Sequence, residues 1–124
     1  MAPSSIDEIR AKRGYLYPWQ EHMAEHDPDF LSSYEDLWDM IGARAVHIPE
    51  QTKQLILVAV VASQKDDIAM RTQMRRALRM GISQEEILEA LQVAFLPTGA
   101  LTLVHGVKGL IDSIAAEAEA EGKN

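Results

Sequence analysis

His105 stands inside an apolar stretch, Leu103-Val104-His105-Gly106-Val107. An imidazole changes charge near neutral pH, so a half-buried one can take up and return a proton, whereas a fully buried one is a core side chain. Earlier in the chain Asp66 and Asp67 open a segment in which Gln73 follows Asp66 by seven residues, two turns along one helix face. Carboxylates there offset a helix dipole; one set against an apolar pocket has a raised pKa and can serve as acid or base. Gln73 is a hydrogen-bonding group for a ligand's carboxylate or carbonyl, with Thr72 and Gln64 as lesser polar candidates nearby. Arg71, Arg75 and Arg79 form an i, i+4, i+8 row with Arg76 beside it. Such a row is either a solvated or subunit-facing stripe, or it holds one inward arginine, Arg71 or Arg75, that grips an acidic substrate bidentately. His22, Glu25 and His26 spell H-x-x-E-H, the inverted zinc-protease pattern, with both histidines on one helix face. Asp27-Pro28 ends that helix at once and no third ligand is evident, so no metal is expected; a zinc hydrolase remains the third and weakest alternative.

The chain contains no cysteine. That excludes disulfides, thiolate zinc sites and every cysteine-nucleophile mechanism in one step. With a formal charge of −7 the protein is unsuited to nucleic acid or to anionic membrane surfaces. Residues 1–20 carry no apolar signal core, and the longest apolar run, residues 55–62, is far short of the roughly 20 residues of a membrane span. A cytoplasmic location is expected. At 124 residues and 47% hydrophobic, the chain can bury one core and reads as one domain.

The elements that must position these groups read as helices throughout. Ser4 or Ser5 can cap a helix over Ile6 to Arg13, stopped at Gly14. Pro18 opens a second helix that Asp27-Pro28 ends, and Asp27 caps a third whose apolar face is Phe30, Tyr34, Leu37, Trp38 and Ile41, closed by Gly42. Pro49-Glu50 opens a fourth helix to Gln64. Its centre, LILVAVVA, is apolar on every side and must be buried all round, by its own chain or by a second subunit. A fifth helix runs from about Asp66 to Met80 and stops at Gly81. Ser83 and Glu86 then form a capping box for a sixth, Gln84 to Phe95, and a Leu96-Pro97-Thr98-Gly99 break precedes a last helix from Ala100 to about Ala118. The fold expected is an all-α bundle of about six helices.

Residues 65–87 carry a resemblance. Ala77, Leu78, Gly81, Ser83, Glu85, Glu86 and Ile87 fit an A-L-x-x-G-x-[ST]-x-E-E-I segment, and Pro49 followed by Lys53, Gln54 and Leu55 is similar to the lead-in before it. Together they resemble the carboxymuconolactone decarboxylase and alkylhydroperoxidase D superfamily, most closely over residues 48–111. The resemblance implies a helical, trimeric or hexameric protein, with N-terminal helices that cover the site, so that Trp19 and His22 would line it. It also marks reactive positions, a glutamate, two cysteines and two histidines in the peroxidase branch, and here these hold Gln54, Asp66, Ala69, Ile68 and Gln73. Thiol peroxidase chemistry is thereby excluded. The function expected is a decarboxylase-like lyase or an isomerase acting on a small organic acid or lactone. His105, Gln73 and Asp66 would be catalytic, and Arg71, Thr72, Gln64, Trp19 and His22 would line a pocket between the fifth and last helices. The alternative is a non-catalytic binding or scaffold protein that kept the fold after losing the reactive side chains.

Overall fold

A computed structural model describes residues 6–13, 16–44 and 47–122. All regular structure among them is helical: α1 (Ile6–Arg13), α2 (Pro18–His26), α3 (Pro28–Ala43), α4 (Glu50–Gln64), α5 (Asp67–Arg79), α6 (Gln84–Thr98) and α7 (Ala100–Gly122). The caps proposed at Ser4 or Ser5 and the stop at Gly14 lie outside the described residues. The helices group into two compact units, residues 1–46 and 47–124. Among the described residues, no helix is long and apolar enough to cross a membrane.

In the first unit, Asp27 caps α3 by accepting from the Phe30 amide at 3.2 Å. The buried side chains are Ile9, Gln20, Leu31, Ser32 and Glu35. Gln20 accounts for two of the three polar residues there, itself and Glu35. Its Oε1 accepts from the Tyr17 amide at 2.9 Å, completing the start of α2, and its Nε2 donates to Glu35 at 3.1 Å. The apolar face expected of α3 is only partly covered: Tyr34 and Trp38 are half-buried, Tyr34 against Trp19, while Phe30 is 52% and Ile41 58% exposed, with Leu37 open beside them. Periodicity locates an apolar stripe on a helix, and three short helices bury only the part of it that meets a neighbour.

The second unit holds the main core, built from Val58, Ala62, Met70, Met74, Ala77, Ile82, Ile87, Leu91 and Leu110. Both α4 and α7 pack against α5 and α6. Gln51 and Gln54 of α4 bond the end and the middle of α5, Met80 and Gln73, so these two helices are antiparallel. Numbering rises together where α5 meets α7, with Met70 against Gly109 and the Arg71 carbonyl by Ser113, so that pair is parallel. The expectation that α4 is buried all round fails within the chain. Gln54, Val58 and Ala62 face inward, while Ile56 and Val60 stay about half exposed. One helix in a four-helix unit presents only part of its circumference to the others.

The junctions follow the sequence closely. Lys65 closes α4 in the left-handed region, at φ 59°. Gly81, at φ 86°, ends α5, and Ser83 and Glu86 form the reciprocal box that starts α6. Pro97 differs from expectation, because α6 continues through it to Thr98. A proline in the last turn costs only the hydrogen bond to the Val93 carbonyl, and Val93 is exposed to water that can replace it. The stop is Gly99, at φ 96°, whose amide donates to the Phe95 carbonyl at 2.8 Å. Around this turn Val93, Leu96, Leu101 and Val104 are each more than half exposed, in a segment with no Lys, Arg, Asp or Glu between Glu89 and Lys108.

Candidate functional site

A groove of about 60 Å³ runs between α5 and α7, lined by Asp67, Met70, Arg71, His105, Lys108, Gly109 and Asp112. Its floor depends on glycine. A Cβ on Gly109 would come within 2.8 Å of the Met70 methyl, so at this helix separation any larger residue requires the Met70 side chain to move. Its walls come from two stripes, Asp67 and Arg71 one turn apart on α5, and His105, Lys108 and Asp112 at spacings of three and four on α7. The volume admits a few water molecules or the polar end of a ligand, with the remainder of any larger molecule lying outside.

His105 is half-buried there, and among the described residues neither ring nitrogen has a hydrogen-bond partner. Lys108 and Asp112 neutralise each other across a 2.9 Å ion pair. Arg71 Nε donates to the Asp67 carbonyl at 3.2 Å, while its terminal guanidinium nitrogens and the Asp67 carboxylate have no partner among the described residues. The groove is therefore lined by an imidazole without a hydrogen-bond partner and by a guanidinium whose terminal nitrogens are unengaged among the described residues.

The remaining residues expected at the site are dispersed. Asp66 is the N-cap of α5, its Oδ1 accepting from the amides of Ile68 and Ala69, each at 3.1 Å. Gln73 points the other way from Arg71, since two residues along a helix turn the side chain by about 200°. It is buried against α4, where Gln54 Nε2 donates to both its carbonyl, at 2.9 Å, and its Oε1, at 3.0 Å. Thr72 bonds back to the Ile68 carbonyl at 2.8 Å, and Gln64 is exposed at the end of α4. The arginine row divides. Arg75 and Arg79 both bind Glu117 of α7, Arg75 at 3.0 Å, beside an open recess that Glu121 also lines. Burial raises the Glu117 pKa, but hydrogen bonds from Arg79 and Arg75 and their charges outweigh it and hold the carboxyl below its ordinary value. Trp19 packs edge-on against Tyr34, centroids 4.8 Å apart, and His22 stacks with His26 at 4.3 Å, all in the first unit. Among the described residues, no group of three His, Asp or Glu side chains converges as a metal ion would need.

Sequence reading missed Asp67, Lys108 and Asp112 as lining groups, and Gln54 as the partner of Gln73. The signal for Lys108 and Asp112 was their i, i+3 and i+7 spacing from His105, usable only once α5 and α7 are known to run parallel.

The signature segment, the helix order and the Gly99 turn now stand together, and the family model described as carboxymuconolactone decarboxylase matches residues 28–109, about two thirds of the chain. The chain belongs to the carboxymuconolactone decarboxylase family. Two uncharacterized proteins of Methanocaldococcus jannaschii are similar to it. One is 32% identical over 82 residues, covering 60% of this chain and 79% of the relative, and the other 28% over 92 residues, covering 74% and 85%. A crystal structure from Burkholderia xenovorans LB400, of a protein provisionally assigned as a carboxymuconolactone decarboxylase, superposes with a TM-score of 0.78 at 23% identity. It covers 95% of this chain and 92% of that one, a likeness that speaks for the fold.

Proposed function

We propose that this member of the family is a cytoplasmic, cofactor-free lyase of the decarboxylase type, acting on a small organic acid or lactone in the groove between α5 and α7. The observation that carries the reading is the half-buried, unbonded His105 beside the unpaired guanidinium of Arg71. Arg71 would dock the carboxylate of the bound acid together with the neighbouring carbonyl oxygen, where its N–H donors stabilise the enolate charge once carbon dioxide has left. In a β-keto acid the bond to the departing carboxylate breaks, its electron pair passes into the neighbouring carbonyl as an enolate, and carbon dioxide leaves. His105 as imidazolium then protonates the carbanionic carbon and recovers its proton from water. General acid help of this kind is worth roughly 10²- to 10⁴-fold.

The test is carbon dioxide release from a panel of β-keto acids and carboxylated lactones at pH 7. Turnover should fall at least about a hundredfold in His105→Ala, and nearly as far in His105→Gln, which keeps a donor but cannot titrate. Release no faster than in buffer across the panel would leave the second reading, a binding or scaffold protein. That reading is favoured by one feature: the buried Gln54–Gln73 pair fills two of the family's reactive positions with neutral amides bonded to each other. A homo-oligomer, trimer or hexamer, belongs to either reading, since the exposed aliphatic side chains of α4, α6 and α7 ask for a cover.

A further inference from the structure

We propose that the α5–α7 groove selects monocarboxylates with an apolar remainder, and that Asp67 is the specificity residue that turns away a second carboxylate. This rests on the reading above for where the ligand sits, and adds which class of acid the site takes. Four charges line the groove, and Lys108 and Asp112 cancel as an ion pair. Arg71 and Asp67 remain. Although one turn apart on α5, they share only the contact from Arg71 Nε to the Asp67 carbonyl, so the guanidinium and the carboxylate are both still available to a ligand. One carboxylate satisfies Arg71, since a guanidinium takes a carboxylate by two parallel N–H donors.

The groove's other cation, Lys108, is already engaged by Asp112, so none is left over for the rest of the molecule. The face of α7 that bears His105 continues one turn back to Leu101, with Val104 beside it, both more than half exposed. Behind them the chain has no Lys, Arg, Asp or Glu until Glu89. A ligand leading away from Arg71 past His105 therefore meets aliphatic carbon on one side and Asp67 on the other. A second carboxylate would lose water against Leu101 or stand within several ångströms of the Asp67 charge. At an effective dielectric between that of a protein surface and that of water, such a repulsion is worth about tenfold in affinity.

The experiment is an NMR titration of the full chain with two unreactive six-carbon probes, hexanoate and adipate, followed on the His105 ring and the Arg71 side chain. Hexanoate should shift both and saturate, and adipate should need about ten times the concentration. Asp67→Asn, and separately Asp67→Ser, should bring adipate to within about threefold of hexanoate, with Asp66 still capping α5 in each. Arg71→Met should weaken hexanoate tenfold or more. The proposal is overturned if adipate matches hexanoate on the unaltered protein, if the ratio is unmoved in both Asp67 variants, or if hexanoate shifts neither residue. Binding is read here without turnover. Hexanoate bound as described by a protein that decarboxylates nothing would remove the lyase reading alone.

Discussion

Replacing Gln54 by Glu keeps the shape of the side chain and inverts what it offers. In the native protein Gln54 Nε2 donates to two oxygens of Gln73, at 2.9 and 3.0 Å, and both residues are buried. A carboxylate in that place sets oxygen against two acceptors, whereas the protonated acid can still donate to one of them. Burial and the lost donor act in the same direction, so the folded-state pKa of the new group rises above the roughly 4.3 of an unfolded glutamate. A raised acid costs nothing below its unfolded pKa, where both states are protonated. The cost grows as pH rises through the folded pKa and then levels off. With a rise of about two units, modest for a buried carboxyl, the plateau is about 2.7 kcal/mol. Urea unfolding of Gln54→Glu and the native protein at pH 4.5 and pH 7.5 measures it. The deficit of the variant should be about 1 to 2 kcal/mol at the lower pH, mostly from the one lost hydrogen bond, and about 3 to 4 kcal/mol at the higher, where the ionisation cost adds to it. Equal stability at both pH values would refute the reasoning, because it would mean that no directed donor is needed between α4 and α5.

Gly109→Ala gains about 0.5 to 1 kcal/mol of helix propensity but forces Cβ onto the buried Met70 methyl, for a net loss of about 1 kcal/mol; in a Met70→Ala background the same change should stabilise, a sign reversal that thermal unfolding can read. Glu117 has a depressed pKa, so it stabilises the fold above the ordinary carboxyl value of 4.5, and that contribution is lost as pH falls through the folded-state pKa. Glu117→Gln should accordingly be about 1 kcal/mol less stable at pH 7 and should lose less than the native protein on acidification below pH 4.5, as followed by circular dichroism. Light scattering at micromolar concentration should report a closed oligomer, three or six copies; a monomer would end that expectation.

Much of the fold was legible because the junctions are local chemistry. Ser83 and Glu86 need only each other, Asp27-Pro28 ends one helix and begins the next, and Gly81 takes a backbone angle that other residues avoid. Orientation was not legible in the same way. The stripe on α3 was located, but only Tyr34 and Trp38 of it are half-buried while Phe30, Leu37 and Ile41 stay exposed, because how much of a helix is buried depends on neighbours far along the chain. The site shows the same division. His105 and Arg71 could be singled out by type. Asp66 and Asp67 could not be separated until the backbone was seen, since the N-cap residue folds its side chain onto the amides of the first turn while the residue after it projects sideways. Nor could spacing say that the arginine row would divide, with Arg75 and Arg79 drawn to a single carboxylate on α7 and Arg71 left unpaired.

The side chains that give the groove its charge are poorly buried: Asp67, Arg71 and Lys108 are exposed and Asp112 is half-buried, whereas the floor beneath them, Met70 and Gly109, is part of the packed interior. Mutational drift therefore meets two very different constraints within a few ångströms. A change in the floor is checked by stability, while a change on the rim is nearly silent for folding and, on the proposed reading, alters which acid the groove takes. Loss of the Asp112 carboxylate alone would free Lys108 and leave the rim with two cations in place of one. On the proposed reading, a lineage would pass from singly to doubly charged ligands by such steps without disturbing the bundle that carries them.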